Sequence, residues 1–249
     1  MRAGCRWNTQ NTGKYLFLFL AFSLSHFLTF AQENIFTAGF QYRPIFPSEF
    51  FGAGTKSVLQ KDINYSIGQK TGSSWGMIIR RGFTKRLSMD FGINYTKRNF
   101  GLRITDTTFT GKSDFKIICY EIPVQLLIFL HASEKGFLTS SMGMAWDMYP
   151  TNVLTQGTYF RNYSIRNSHF QIAALAGIGY EYRTKKDGFF YLGAGYHLPL
   201  SYAYLSSVTY KPINDIAHLK LGGNYLTLDF RYYFPAEKVK DKKEKKKKK

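Results

Sequence analysis

From residue 34 onward, apolar and polar residues alternate with a period of two, and no window of the chain carries a helical stripe. In Met89-Asp90-Phe91-Gly92-Ile93-Asn94-Tyr95-Thr96, the residues Met89, Phe91, Ile93 and Tyr95 fall on one face, with Asp90, Gly92, Asn94 and Thr96 on the other. Successive side chains of a strand point to opposite faces, so such a segment needs an apolar surrounding on one side and a polar one on the other. The same reading covers segments 36–43, 75–82, 119–129, 138–148, 170–182, 189–198 and 225–234, with the one at 75–82 less regular. These strands predict an all-β chain.

The connections alternate in length. Residues 84–87, 131–135 and 184–188 are compact and polar, as hairpin turns are. Those near 44–72, 99–112, 149–165 and 199–221 exceed ordinary hairpin loops. Short turns on one rim and long loops on the other are the pattern of an eight-stranded antiparallel up-and-down transmembrane β-barrel, and strands of about ten residues suit a tilted crossing of a bilayer. Both chain ends then lie on the short-turn rim.

Alternation alone does not say which face points inward, and a soluble barrel or sandwich is the rival. Residue size decides against it. With 18% aromatic residues, an inward apolar face would overfill an eight-stranded barrel, whose interior just accommodates side chains. The polar face therefore points inward, with Arg43, Asp90, Glu121, Gln125, Asp147, Glu181, Asp229 and Arg231 as a network in the lumen and Arg80 or Arg81 and Arg183 as further partners. A charge in that position is expected to be neutralised by an opposite one. The filled lumen is not an open pore. Trp75, Tyr95, Trp146, Tyr182, Tyr196, Tyr232 and Tyr233 would form interfacial girdles. Pro123 gives up a ladder hydrogen bond, which predicts a bulge there. Gly177, Gly179, Gly193 and Gly195 sit in alternating strands, where they make room inside rather than bind a dinucleotide.

The ends read differently from the middle. In residues 1–31, Arg2, Arg6 and Lys14 precede the apolar run from Tyr15 to Phe30, and Ala31 closes a small-residue cleavage site, as in an export signal peptide. A membrane anchor is the alternative, but the run is about 16 residues against the roughly 20 that a spanning helix needs. The barrel domain then covers 32–234. Cleavage leaves Cys119 as the one cysteine, a small apolar residue in a strand. The net charge of +18 is unevenly spread: residues 235–249 hold nine lysines against Glu237, Asp241 and Glu244, and read as a disordered periplasmic tail making a weak electrostatic contact or none.

Three segments carry a family resemblance. Residues 81–95 (RGFTKRLSMDFGINY) form a short turn followed by a strand with Gly-x-x-Tyr, residues 120–124 read YEIPV, and residues 226–234 read LTLDFRYYF. Together they resemble the PorT-like outer-membrane β-barrel family of Gram-negative bacteria, over nearly all of residues 32–234. The resemblance implies an eight-stranded barrel in the cell outer membrane, inserted by the assembly machinery that recognises a terminal strand ending in an aromatic residue. Phe234 matches that assembly signal, although this chain adds 235–249 beyond it. The family's namesake takes part in protein secretion across the outer membrane.

No catalytic, metal or cofactor site is predicted. Thr110-Gly111-Lys112-Ser113 resembles part of a phosphate-binding loop, but Asp106 replaces the first glycine and no helix follows, so the segment reads as a polar surface loop. A rim enzyme acting on lipid A could draw on His169 and His197 with Ser168 and Ser201, although their spacing matches no motif of such enzymes. The expected partners are outer membrane lipids, the assembly machinery and an envelope protein met through the long loops or the tail, and no nucleic acid. The role expected is structural or interactive, with a component of an outer-membrane protein secretion apparatus as the alternative.

Overall fold

The computed structural model describes residues 35–49, 54–107, 109–184, 187–235 and 237–238. The leader at 1–31 and the tail from 239 lie outside the described residues. In chain order the strands are β1 (Ile35–Pro47), β2 (Lys56–Gln60), β3 (Ile63–Gly82), β4 (Leu87–Thr105), β5 (Thr110–His131), β6 (Gly136–Met148), β7 (Val153–Gln156), β8 (Phe160–Arg166), β9 (Phe170–Arg183), β10 (Phe189–Pro199), β11 (Tyr204–Tyr210), β12 (Asp215–Leu221), β13 (Tyr225–Tyr233) and β14 (Glu237–Lys238). One 3-10 turn, Lys211–Ile213, joins β11 to β12.

Eight of these strands close into a ring. The order runs β1-β13-β10-β9-β6-β5-β4-β3, every neighbouring pair is antiparallel, and β1 pairs with both β13 and β3. The eight alternating segments of the sequence all lie in this ring. Its short connections are tight. Phe83 and Thr84 donate to Leu87 O at 3.0 and 3.1 Å, and Thr184 N donates to Gly188 O at 3.0 Å. Gly188 has φ +87°, and a Cβ there would meet Tyr233 O at 2.1 Å, so only glycine fits this turn. The first tail residues continue the ladder, Glu237 opposite Phe36 and Lys238 opposite Ile35.

The ring is apolar outside and polar inside. Phe91 and Ile93 of β4, Ile122, Ile128 and Leu130 of β5, and Leu138, Met142, Met144 and Trp146 of β6 are exposed on its outer face. Asp90, Asn94, Glu121, Gln125 and Asp147, one residue away on the same strands, are buried inside. Tyr233 departs from the girdle expected of it. Residues 225, 227, 229, 231 and 233 point inward, and Tyr233 is fully buried in the ring. The bulge expected at Pro123 is also absent: Phe91 pairs with Val124 and Asn94 with Glu121 in one unbroken register, and Pro123 stands opposite Ala145. The missing amide is accommodated where β4 carries Gly92, whose added Cβ would lie 3.5 Å from the Pro123 ring.

Much of the long connections is strand among the described residues. Strands β3, β4 and β5 run on beyond the ring, and Thr110–Ser113, read above as a surface loop, begins β5. In β4 the even residues point inward throughout, but their character changes from Asp90, Asn94 and Thr96 to Phe100, Leu102 and Ile104. The outward residues change the opposite way, from Phe91, Ile93 and Tyr95 to Lys97, Asn99 and Arg103. Polarity inverts while parity is kept. In β3 a register shift between Lys70 and Ser73 adjusts the parity instead.

The extensions of β2–β5 beyond the ring face a separate four-stranded sheet, β12-β11-β8-β7, and the two together form a cap. Between them lies an apolar core: Ile63, Tyr65 and Ile67 of β3, Phe100, Leu102 and Ile104 of β4, and Phe115, Ile117 and Cys119 of β5 meet Phe160, Tyr204, Val208, Tyr210, Leu219 and Leu221. Each such side chain contributes about 1.5–3 kcal/mol on full burial. β12 also meets β2 at the sheet edge, where Asp215 accepts from Lys61 at 3.0 Å, Tyr65 at 3.0 Å and Gln60 at 3.1 Å. The β2–β3 turn places Lys61 (φ 49°) and Asp62 (φ 62°) in the left-handed region, as a two-residue hairpin requires.

Candidate functional site: the buried charge network

Inward positions of the ring strands bring charged side chains into two linked clusters. Nearest the short-turn rim, Arg80 of β3 stands directly opposite Asp90 of β4 and donates from Nε at 2.7 Å and Nη2 at 3.1 Å. Its Nη1 reaches Glu181 of β9, which also accepts from Arg183 Nε at 2.6 Å. Tyr233 of β13 donates to Asp90 at 2.6 Å. Arg231, two residues before it, contacts Asp90 at 3.2 Å, Gln125 at 3.1 Å and Asp229 at 2.7 Å.

Aromatic rings complete this cluster. The Arg80 guanidinium lies 3.9 Å from the Tyr233 ring, Arg183 3.8 Å from Phe137, and Arg231 4.7 Å from Tyr191. Cations over ring faces gain from the ring quadrupole, more so when desolvated. Tyr191 itself lies against Gly179 and Gly193, where an added Cβ would come within 2.5 and 2.4 Å of its ring end. Those glycines make room for the ring.

Nearer the cap, Arg43 of β1 donates to Glu121 at 2.5 Å and to Ser74 at 3.2 Å. Glu121 also accepts from Asn94 at 3.0 Å and Tyr225 at 3.0 Å. His197 of β10 stacks on Tyr225, with centroids 4.3 Å apart and planes within 7°, and its Nε2 lies 3.1 Å from Asp147. Arg98 of β4 donates to Tyr149 at 2.5 Å and to Gly223 O at 3.1 Å, which ties this cluster to the base of the cap.

The charges balance. Arg43, Arg80, Arg98, Arg183 and Arg231 stand against Asp90, Glu121, Asp147, Glu181 and Asp229, all buried or nearly so. A buried ion carries a desolvation cost of several kcal/mol, which is offset only where paired charges and hydrogen bonds replace water. Both carboxylate oxygens of Glu121 and of Asp90 have such partners. The eight residues expected in the lumen all point inward, and Asp147 meets His197 rather than an arginine. Arg80 rather than Arg81 takes part, since Arg81 is exposed on the outer face.

Several members were not singled out from sequence: Arg98, Asn94, Tyr149 and Tyr225. Their signal was parity alone: Asn94, Tyr149 and Tyr225 share the inward face with Asp90, Asp147 and Asp229, two or four positions away, and Arg98 follows Asn94 by four. Other residues considered from sequence are not brought together. His197 is buried inside the ring, His169 is exposed, and the Ser201 hydroxyl accepts from Asn167 at 3.1 Å. Glu121, Asp147 and His197 offer donor atoms within 4.8 Å of one another. Arg43, beside Glu121, and Arg98, beside Tyr149, supply positive charge there, so the two carboxylates of the trio are paired within the network. Outward at the end of the ring, Phe234 packs edge to face on Phe40 at 5.7 Å and on Tyr232 at 5.6 Å.

No protein-family model matches the chain, and no curated protein matches it in sequence. Among solved structures it is similar to the outer membrane protein OprG from Pseudomonas aeruginosa, with a TM-score of 0.55, 10% identity, and coverage of 82% of this chain and 98% of that one. The fold is that of an outer-membrane β-barrel protein. The outer membrane protease OmpT from Escherichia coli aligns over 85% of this chain and 97% of its own at 9% identity, but its TM-score of 0.31 carries no argument. At these identities the likeness to OprG is one of fold.

Proposed function

We propose that this chain is an integral outer-membrane β-barrel protein with a sealed interior, serving a structural or interaction role. The observation that carries this reading is the inverted polarity of the ring: an exposed band of Phe, Ile, Leu, Met and Trp encloses a hydrogen-bonded, charge-balanced interior. Water on both sides would leave that band uncovered, whereas hydrocarbon outside covers it. A closed ring also meets the requirement that no backbone group in hydrocarbon go unpaired.

Two blocks in series support a sealed interior. Arginine and aromatic side chains fill the ring, and the apolar core of the cap lies above them. Membership of the PorT-like family is part of the proposal and rests on segments 81–95, 120–124 and 226–234. Signal-directed export, outer-membrane lipid as surroundings and insertion through Phe234 belong to the same reading. The network around Glu121 and Asp90 then holds the barrel together rather than acting on a substrate.

Membrane fractionation, combined with gel mobility of boiled and unboiled samples, tests this. Recovery in the outer membrane with a mobility shift on boiling is expected, together with no steady conductance in planar bilayers. Recovery as a soluble protein without the shift would overturn the reading, and a stable open conductance would overturn the sealed interior.

A further inference from the structure

The outer face of β3, β4 and β5 changes character over one step. Trp75, Tyr95 and Tyr120 stand directly opposite one another in register and form a continuous aromatic row, with centroids 5.7 and 5.9 Å apart. Below it the outward residues are Met77, Ile93, Phe91, Ile122 and Val124. Above it, Lys97 is the next outward residue of β4 and Lys116 lies two outward steps beyond Tyr120 on β5, with Asn99 directly opposite Lys116. An outward step is about 7 Å of strand. The lysines therefore lie within a headgroup's depth of the aromatic row.

Charge at this level is one-sided. Asp114 is taken by Lys70 at 2.6 Å, and among the described residues no carboxylate pairs with Lys97, Arg103, Lys112 or Lys116. The surface is also concave. A groove of about 710 Å³ runs between this wall, which presents Lys70, Lys97, Lys116 and Asp114, and β7 across from it. β5 has a ladder partner on the β6 side only as far as Tyr120, opposite Met148, so the groove opens where the ring ends and the two cap sheets part.

We propose that this groove binds the phosphate-bearing headgroup of a membrane lipid in the leaflet next to the cap, with Lys97 and Lys116 holding the phosphate and the acyl chains lying along Trp75, Tyr95, Ile93 and Ile122. The inference rests on the membrane-barrel reading above. Lysine ammoniums meet phosphate as point charges, the aromatic row marks the interface where headgroups lie, and the apolar band below accepts the chains. Both parts of one amphiphile are matched along three neighbouring strands, β3, β4 and β5. A soluble anion would use only the lysines.

The test uses the full barrel in detergent micelles and compares binding of a diphosphorylated lipid A with its dephosphorylated counterpart, read by native mass spectrometry. The phosphorylated lipid is expected to bind about tenfold or more tightly, with the preference lost in the variant K97A/K116A and kept in K135A at the opposite rim. Loss of the preference while the double variant keeps its mobility shift on boiling supports the site. Equal binding of the two lipids by the unmodified protein, or an unchanged preference in K97A/K116A, overturns it. Competition by millimolar inorganic phosphate or by an acidic peptide, at the level of the lipid itself, also overturns it by removing the role of the chains. Absence of the mobility shift in the unmodified protein refutes the barrel reading itself, a result distinct from the others.

Discussion

Arg80 and Asp90 face each other across the β3–β4 pair in direct register, joined by two hydrogen bonds of 2.7 and 3.1 Å, with side chains 0% and 2% exposed. The short turn between their strands places this pair within one hairpin. Glu181, Tyr233 and Arg231 then draw β9 and β13 onto it from the other side of the ring.

Removing Arg80 alone strands Asp90 and Glu181 without their principal partner. Arg80→Met should cost about 3–5 kcal/mol, because an uncompensated buried charge costs more than the intact pair contributes. Lys135→Ala, in an exposed turn, should stay within about 0.5 kcal/mol. Urea unfolding of the barrel in micelles measures both.

Tyr191 occupies the space that Gly179 and Gly193 leave. Gly179→Val places a Cβ about 2.5 Å from the end of that ring, and overpacking of this kind costs about 1–3 kcal/mol. In a Tyr191→Ala background the same substitution should cost less but not become neutral, since the added Cβ still lies 2.8 Å from Leu192 O, and the difference appears as a coupling in a double-mutant cycle.

Acid should loosen the seam between β2 and β12. The Asp215 carboxyl is held below the ordinary aspartate range, first by its hydrogen bond from Lys61 and then by that from Tyr65, whose own hydroxyl is pushed upward by burial and by Asp215. A depressed carboxylate contributes stability above its unfolded value of about 4, and that contribution is lost as pH falls through the lower folded value. Protection of β12 amides, taken relative to intrinsic exchange at the same pH, should therefore fall below about pH 4. Asp215→Asn should remove the pH dependence and show fast exchange at neutral pH.

Cys119 faces the interior where the ring meets the cap core and is 1% exposed. A maleimide should leave it unmodified in the native barrel and label it fully after boiling. Labelling of the unboiled protein would place this strand in the opposite orientation.

The ring was legible in the sequence because its eight segments alternate, all but 75–82 regularly, and are joined in pairs by short polar turns. The cap was not read as strand. Residues 97–105 alternate as regularly as 89–96, but Lys97, Asn99 and Arg103 replace aromatics outside while Phe100, Leu102 and Ile104 replace polar residues inside. A single rule assigning apolar residues to one face fails at that inversion. Parity, followed without regard to polarity, carries through it. Tyr233 was misplaced for the related reason that its neighbour Tyr232 points outward and sequence composition does not separate the two. Within the network, Arg43, Glu121 and Asp90 were visible as charges on the inward parity. Arg98 and His197 lay at segment ends where the pattern changed, and their partners come from strands distant in sequence.

The inversion along β4 is the most direct test of the account. Nitroxide labels placed one at a time at positions 89–105, with Cys119 replaced by serine, report access to oxygen and to a water-soluble nickel complex in lipid vesicles. Oxygen-rich, nickel-poor environments are expected at 91, 93 and 95, the reverse at 99, 101 and 103, and little access of either at the inward positions 90, 94, 98 and 102. Nickel access along the whole outward face, 91 through 103, would contradict it, since that face would then lie in water and the apolar band would have no lipid to meet.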